Sequence, residues 1–496
     1  MRAPWALAAS ALLSACAVGP RYREPEVAPA GTAVGLKPED EPLRQFYDSL
    51  GAAADTVLAQ PGDSAAGAPP LPAAEGPALL VTDSSELAWL NVLRDSTLIG
   101  LIRSAVRDNR DVRTAQARIR EFRAQLGVSR AALFPELSAN GAASTNQVAI
   151  GSFQPTAYDA LRVTADLAWE LDFWGRLRRG VQASRADVEA VEASRRATVL
   201  TLVSDVATAY LQLVELGQEE AIAERTLASR RRTLALARER FAQGVISALD
   251  VHQFEAEVAV PAASLAQARR ERSRREHQLA TLAGRLPFDI PADSGLAAAV
   301  ERVRVPDSIP GALLGRRPDV QAAERSYAAS VARVGAAQAA RLPTVSITGN
   351  YGSQATNTGD LFTGNTEVYQ LQGGIRVPLF TGGRLANQAR AAEARAEQAR
   401  LQFEGAVLEA FREASDALVA VRTSRDQRDA QASQVAALRQ AAELAELRYR
   451  GGVASYLEVL DAQRGLFSAE LGLSQAQLLE LSSVVQLFRA LGGSWE

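Results

Sequence analysis

Alternating apolar and polar residues mark four segments of the chain as β-strands. In residues 161–173 the even positions are mostly polar, whereas apolar side chains occupy the odd positions: Val163, Ala165, Leu167, Trp169, Leu171 and Phe173. This period of two is that of a strand with one apolar face and one polar face. The same pattern recurs elsewhere, and it predicts strands at about 136–145, 160–174, 344–352 and 368–380.

Long segments rich in Ala, Arg, Glu, Gln and Leu follow each strand pair and predict helices. Apolar residues recur there at steps of three and four, as at Val203, Val206 and Tyr210, which is typical of helices packed side by side. A helix of about 66 residues reaches ~100 Å at about 1.5 Å per residue. A short Gly-containing turn then returns the chain, so two long helical hairpins are predicted, at about 177–283 and 385–490.

Pro261 lies inside the returning helix of the first hairpin. A proline there removes one backbone hydrogen bond and predicts a kink. The alternative is a bend that is tolerated because it lies on an exposed turn.

A constant offset of 208 residues superposes the two halves of the chain. At this offset Asp111-Val112 falls on Asp319-Val320, and Gly244-Val245 falls on Gly452-Val453. Two tandem repeats are therefore predicted. The expected divisions are a signal peptide at 1–15, a Pro/Ala-rich leader at 16–83, a first repeat at 84–290, a linker at 291–310, a second repeat at 311–490 and a tail at 491–496.

The N-terminal apolar run at 3–15 is shorter than the ~20 residues of a membrane-spanning helix, and it predicts a secretory signal peptide. It ends in Leu13-Ser14-Ala15-Cys16, which resembles a bacterial lipobox. Cys16 is the only cysteine, so an internal disulfide is excluded and lipidation of Cys16 is the favoured use of the thiol. The alternative is an ordinary signal peptide with an incidental cysteine.

The predicted strands suit two kinds of sheet. Strands of ~9–11 residues with one apolar face build transmembrane barrels, but a soluble sheet packed on helices shows the same alternation. A membrane barrel needs ~8 strands or more, because lipid leaves no partner for an open sheet edge. A chain with four strands would then have to oligomerise, and a dimer or a trimer satisfies this equally well.

Composition and motifs exclude several functions. The formal net charge of −3 provides no global basic field, which argues against a nucleic-acid partner. The chain contains no P-loop, no GxGxxG after a strand, no HExxH and no GxSxG motif. No catalytic residue, metal site or cofactor is predicted, and the protein is not expected to be an enzyme.

Several motifs resemble those of one family, the TolC-like outer membrane efflux proteins, in particular the lipoprotein branch that serves resistance-nodulation-division (RND) drug pumps. They are Gly315-Arg-Arg-Pro-Asp-Val, Ala339-Ala-Arg-Leu-Pro and Pro378-Leu-Phe-Thr-Gly-Gly-Arg-Leu, together with the lipobox. The resemblance implies a homotrimer in the outer membrane of a Gram-negative-type bacterium. Its fold would be a 12-stranded β-barrel, with four strands per chain, continuing into a 12-helix periplasmic α-barrel.

The resemblance also implies a function and partners. The trimer would passively conduct small molecules, passed on by a periplasmic adaptor and an inner-membrane RND pump. Two alternatives remain, namely an exit duct for type I protein secretion and a lipid-anchored periplasmic coiled-coil scaffold without a pore.

In this family the hairpin tips close the tunnel. By motif match the gate candidates are Tyr449, Leu457, Asp461 and Arg464. A ring of Asp461 side chains would concentrate negative charge at the mouth, although Asp461 and Arg464 also have the spacing of an ordinary helix-surface pair. The adaptor is expected to dock on tip residues Gly244, Val245, Ser247, Gly452, Val453 and Ser455.

Overall fold

A computed structural model describes residues 19–20, 33–34, 95–148, 156–291, 296, 300, 309–451 and 453–493. The predicted signal peptide, Cys16, most of the leader and Gly452 lie outside the described residues.

The described chain is built from long helices and a small antiparallel sheet. The helices are α1 (Ser96–Asp108), α2 (Arg110–Ala131), α3 (Arg176–Ala242), α4 (Ala248–Leu282), α5 (Pro318–Ala339), α6 (Arg384–Arg450) and α7 (Tyr456–Ala490). The strands are β1 (Ala33–Val34), β2 (Glu136–Val148), β3 (Thr156–Leu171), β4 (Ile309–Pro310), β5 (Thr344–Ala355) and β6 (Glu367–Arg376). Strands β1 and β4 form a separate two-stranded pair.

The two tandem repeats are confirmed by the helix lengths. Helices α2 and α5 each have 22 residues, α3 and α6 each have 67, and α4 and α7 each have 35. Each member of a pair begins 208 residues after its counterpart. We name α3 with α4 the first hairpin, and α6 with α7 the second hairpin.

Two strands end earlier than their alternation predicts. Strand β3 stops at Leu171 instead of 174, because the Asp172 carboxylate accepts hydrogen bonds from the backbone N–H groups of Leu177 and Arg178 and caps α3. Gly175 has a left-handed φ of 77° at this turn, a conformation that favours glycine. Strand β6 stops at Arg376 instead of 380, before Pro378, which has no N–H to donate to a ladder.

Pro261 does not interrupt α4, which continues from Ala248 to Leu282. Its side chain is buried, so the alternative of a bend on an exposed turn is wrong.

The four longer strands form one antiparallel sheet in the order β2-β3-β5-β6. Their register places apolar residues opposite one another on one face, as in the pairs Leu137–Leu167, Trp169–Ile347 and Tyr351–Tyr369. This face is uncovered in the isolated chain. Five of its side chains are 60% to 81% exposed: Leu137, Tyr351, Tyr369, Leu371 and Ile375. A soluble sheet buries such a face, so the alternative of a sheet packed on the helices of its own chain is wrong.

Polar side chains line the opposite face and hydrogen-bond across the strands. The Arg162 guanidinium donates to Oδ1 of Asn350 at 3.0 Å, and the Asn350 amide donates to Oε1 of Gln370 at 3.4 Å. The sheet therefore has one face suited to lipid and one suited to water.

The helices continue the order of the strands in two layers. Next to the sheet the packing order is α2, α3, α5, α6, and towards the hairpin tips it is α4, α3, α7, α6. We call each position in this order a column. The chain is therefore four columns wide, and the first and fourth columns each have one open side. The first column contains β2, α2 and α4, and the fourth contains β6 and α6.

The first and third columns are each made of two helices that meet end to end. At the first junction the Asn109 side-chain amide donates to the Leu282 carbonyl at 3.1 Å. At the equivalent junction the Arg317 guanidinium donates to the Ala490 carbonyl at 2.9 Å. Both junctions let a split column run beside an unbroken helix of 67 residues.

The main hydrophobic core surrounds these junctions, at mid-height of the helical part. Its most deeply buried large side chains include Leu98, Tyr210, Leu213, Phe403 and Phe488. By length and composition α3 is apolar enough to cross a membrane, but 56% of its most apolar stretch is buried in the chain, as in the core helix of a soluble domain.

Arg317 is the most connected charge at this level. Its guanidinium contacts Asp319 at 2.6 Å and Glu413 at 2.7 Å, besides the Ala490 carbonyl. Burial opposes the charged form, but the hydrogen bonds that the guanidinium donates to Asp319 and Glu413 outweigh it and raise the pKa of Arg317. Arg317 therefore joins α5, α6 and α7 at one point.

We predict that Arg317→Gln lowers the stability of the fold by roughly 3 kcal/mol, because it leaves two carboxylates and a helix-end carbonyl without their shared donor. The change is measured as a fall in the thermal unfolding midpoint of the detergent-purified protein. The control is Arg412→Gln, on α6, which removes an exposed pair with Glu409 and is expected to leave the midpoint unchanged. Equal midpoints for the two variants would contradict the role given to Arg317.

Candidate functional site at the hairpin tips

The two hairpins end in turns that share one equivalent backbone hydrogen bond. In the first, Gly244 has a left-handed φ of 74° and the Val245 N–H donates to the Arg240 carbonyl at 2.9 Å. In the second, the Val453 N–H donates to the Arg448 carbonyl at 3.0 Å. Both valines are exposed, so each tip presents an apolar side chain to solvent.

The helices that leave the tips are capped differently. Ser247 and Asp250 form a reciprocal capping box at the start of α4, with the Ser247 N–H donating to the Asp250 carboxylate at 2.9 Å. Ser455, at the same position in the second hairpin, makes no side-chain cap to α7. The helix after the first tip thus has reciprocal capping hydrogen bonds, and the helix after the second tip lacks a side-chain cap from Ser455.

A charged cluster joins the two hairpins above their tips. Arg464 of α7 donates through Nε to Oε1 of Glu257 on α4 at 2.7 Å. The other carboxylate oxygen of Glu257 lies 3.6 Å from Nη1 of Arg230 on α3. Arg230 and Glu257 are buried, whereas Arg464 is about half exposed. Glu257 therefore holds the first hairpin together and also binds the second hairpin.

The second repeat has different chemistry at the equivalent positions. At the offset of 208, Arg230 corresponds to Leu438 and Glu257 corresponds to Gly465. Leu438 packs over Gly465, with its Cδ2 atom 3.4 Å from the place where a β-carbon would stand. An apolar contact thus replaces the ion pair, and the fold of a hairpin does not itself require the charges.

Aromatic residues pack beside the charged cluster. The Tyr456 ring lies 4.0 Å from the Phe254 ring and 5.4 Å from the Tyr449 ring, measured between centroids. The Tyr449 hydroxyl accepts a hydrogen bond from Nη1 of Arg240 at 2.7 Å. Burial raises the pKa of Tyr456 to about 12, so this hydroxyl stays neutral at physiological pH. Two tyrosines of the second hairpin thus contact both helices of the first.

The structure separates the residues that the sequence had grouped. Tyr449 and Arg464 contact the first hairpin, whereas Leu457 and Asp461 are exposed on α7. Arg464 is hydrogen-bonded to Glu257, so its main partner is not Asp461, three residues away on the same helix. Glu257 and Arg230 were missed by the sequence analysis. Comparing the repeats at the offset of 208 could have found them, because a charged pair in the first repeat corresponds to Leu and Gly in the second.

The sequence pattern of the outer membrane efflux protein family matches residues 101–285 and 309–493, one match in each repeat. The chain belongs to the outer membrane efflux protein family. The efflux protein is thus an outer-membrane channel protein, in agreement with the family prediction.

Individual relatives agree with this assignment. The efflux protein is 34% identical over 433 residues to the probable efflux pump outer membrane protein TtgC of Pseudomonas putida, covering 85% of this chain and 89% of TtgC. It is 29% identical over 418 residues to the probable outer membrane lipoprotein SilC of Salmonella typhimurium, covering 84% and 90%. Its fold matches the outer-membrane channel OprN with a TM-score of 0.76 and 32% identity, covering 82% of this chain and 92% of OprN.

We predict that Glu257→Gln destabilises the efflux protein by roughly 3 kcal/mol, because buried Arg230 then faces a neutral partner. Glu255→Gln is the matched control, since Glu255 is an exposed glutamate of the same helix paired with Arg238. Thermal unfolding midpoints measure both effects.

A second variant separates packing from charge. Arg230→Leu combined with Glu257→Gly copies the second hairpin into the first, and it should recover most of the loss caused by Glu257→Gln. No recovery would mean that the ion pair, and not merely a filled contact, is needed to join α3 to α4.

Proposed function

We propose that three copies of this chain close into one duct, with a 12-stranded barrel in the outer membrane and a 12-helix tunnel in the periplasm. The open sides of the chain support this proposal. Among the described residues, strands β2 and β6 each have one edge without a partner, and lipid supplies no hydrogen bonds to such an edge. Pairing β6 of one copy with β2 of the next satisfies both edges and leads to a ring.

The two faces of the sheet support three copies over two. A barrel of 8 strands is about filled by its own side chains, whereas 12 strands leave room for water. The polar face carrying Arg162, Asn350 and Gln370 would then line a wet lumen, and the exposed apolar face would contact lipid.

In this assembly the protein acts as a passive exit for small toxic molecules. A periplasmic adaptor and an inner-membrane RND pump supply the substrate and the energy. The names of relatives, among them the toluene efflux protein TtgC, support small molecules over secreted proteins as cargo. The uncovered apolar sheet face is the observation that favours a duct over a scaffold. A scaffold without a pore does not need such a face.

The tips form the gate of the proposed duct. Leu457 and Asp461 line its mouth, while the bond from Arg464 to Glu257 and the bond from Arg240 to Tyr449 hold the second hairpin against the first. Opening separates these two pairs. The adaptor docks on the turns, at Gly244, Val245 and Ser247 of the first tip and at the sequence-equivalent Gly452, Val453 and Ser455 of the second.

The leader is proposed to anchor the chain through a lipidated Cys16. Gly19, three residues later, accepts a hydrogen bond from Arg179 at 3.1 Å and packs closely against Gly335. Arg179 lies in the first turn of α3, just below the sheet. This contact supports an acyl chain at the periplasmic surface of the outer membrane.

The duct and its gate are tested by single-channel conductance in planar bilayers. We expect Arg464→Gln to raise the open probability roughly fivefold, because it removes a half-exposed charged hydrogen bond of ~1 kcal/mol between the hairpins. Arg448→Gln is the control, since Arg448 is equally exposed but pairs with Glu458 inside the second hairpin. Absence of conductance from folded, membrane-inserted protein in every variant would favour the scaffold; equal open probabilities would contradict the gate alone.

Lipidation is tested with Cys16→Ser. Wild-type protein is expected to incorporate a radiolabelled fatty acid and the variant is not, because no other cysteine is present. If intact mass spectrometry of the wild-type protein shows an unmodified thiol, the alternative of an ordinary signal peptide with an incidental cysteine is supported instead.

A further inference from the structure

Two neighbouring carboxyl groups lie in the seam, which we define as the contact between α3 of the first hairpin and α7 of the second. Glu215 of α3 is only 5% exposed, and its Oε1 atom has no hydrogen-bond partner among the described residues. Glu219 lies one turn further along α3 and accepts a hydrogen bond from the Gln475 amide of α7 at 3.2 Å. Ser474 of α7, fully buried, faces Glu215. A buried carboxyl group thus lies beside a second one that is partly exposed.

The pair lies where the contacts of the seam change from apolar to polar. Just before it, Leu213 and Val214 of α3 belong to the hydrophobic core, together with Leu481 and Val484 of α7. Just after it, the contacts are polar, beginning with the bond from Gln218 to Gln477 at 3.3 Å. Hairpins that separate at their tips will bend where the close-packed core ends. Glu215 therefore lies at the hinge of the proposed opening.

Arginines of the neighbouring helices are paired with other carboxylates. On the α4 side of α3, Arg269 and Arg272 bind Glu220, and Arg272 also contacts Glu276. On the α7 side, Glu480 is bound by Arg425 and Arg428 of α6. The groups of α7 that face the pair are the neutral Ser474 and Gln475. Burial, and next the negative charge of Glu219, raise the pKa of Glu215 to about 8.

The repeat shows that the fold does not need these acids. At the offset of 208, Glu215 corresponds to Thr423 and Glu219 corresponds to Gln427, both neutral. The Thr423 hydroxyl simply donates to the Val419 carbonyl of its own helix at 2.9 Å. The acids occur only in the repeat whose long helix forms the seam.

We propose that Glu215, beside Glu219, holds a proton in the closed duct, and that the release of this proton as the seam opens makes opening easier at higher pH. This inference rests on the proposed gate. The sign follows from the two states of Glu215. In the closed seam it keeps a proton up to about pH 8, whereas a hydrated glutamate loses it at about 4.3. Opening therefore releases a proton between these values, and its equilibrium constant rises by up to ~10-fold per pH unit and levels off above about 8.

The experiment records open probability in planar bilayers at pH 5.5, 6.5, 7.5 and 8.5, with EDTA present so that a divalent cation does not replace the proton. Wild type is expected to open more often as the pH rises. Glu215→Gln, which resembles the protonated form, is expected to stay at the low value of acidic conditions. Glu219→Gln removes the negative neighbour, so its response should persist but move to lower pH. Glu255→Gln, at an exposed site of α4, should keep the wild-type slope.

Thermal unfolding over the same pH series provides a readout that does not depend on conduction. The wild-type midpoint is expected to fall relative to that of Glu215→Gln as the pH rises, because the folded form then loses the proton that it prefers to keep. If the difference in midpoint between the two proteins grows with pH but no conductance is ever seen, the proposed duct is contradicted and the protonation of Glu215 is still supported. Equal pH slopes for wild type and Glu215→Gln in both measurements would overturn the proposal.

Discussion

Backbone hydrogen bonding in lipid is the constraint on which the rest of this structure depends. In the part of the chain that the structure describes, the sheet has four strands, and its outer strands, β2 and β6, each keep an edge without a partner. Water can satisfy such an edge, but hydrocarbon cannot. Because the helices below the sheet follow the order of the strands in both of their layers, the open sides of the sheet continue down the whole molecule. An association that pairs the strand edges therefore also brings together the outer helices α4 and α6.

The two repeats have the same backbone fold, but their side chains differ at the helix junctions and where the hairpins contact each other. The helix junction of the first repeat is closed by the amide of Asn109, and that of the second by Arg317, which also gathers two carboxylates. Towards the tips, the buried pair of Arg230 and Glu257 stands where the second repeat has Leu438 over Gly465. The duplicated part supplies helices of equal length. The diverged part determines how tightly one hairpin is held to the other.

Much of this architecture follows from local sequence patterns. The alternation at Val163, Leu167 and Trp169 predicted a strand with one apolar face, and the register confirms that the face is continuous across the sheet. Alternation failed at the strand ends, because it records which face a side chain takes and not where hydrogen bonding stops. Asp172 and Pro378 end the ladders, although apolar residues continue beyond them.

The candidate site was less predictable for a physical reason. Arg464 has Asp461 three residues away, but its partner is Glu257, which lies 207 residues away in sequence. Local spacing does not reveal such a contact, since it depends on the packing of two separate hairpins. Buried Glu215 and its neighbour Glu219 were missed for the same reason, because they lie in the contact between α3 and α7.

The central claim is that this chain is one third of a closed ring joined through unlike edges. An electron cryomicroscopy structure of the detergent-extracted assembly tests it most directly. The account predicts three copies, with β6 of each copy hydrogen-bonded to β2 of the next and α6 packed beside the neighbouring α4. A two-fold pair joined through like edges, or a stable single copy with both edges unpaired, would contradict it.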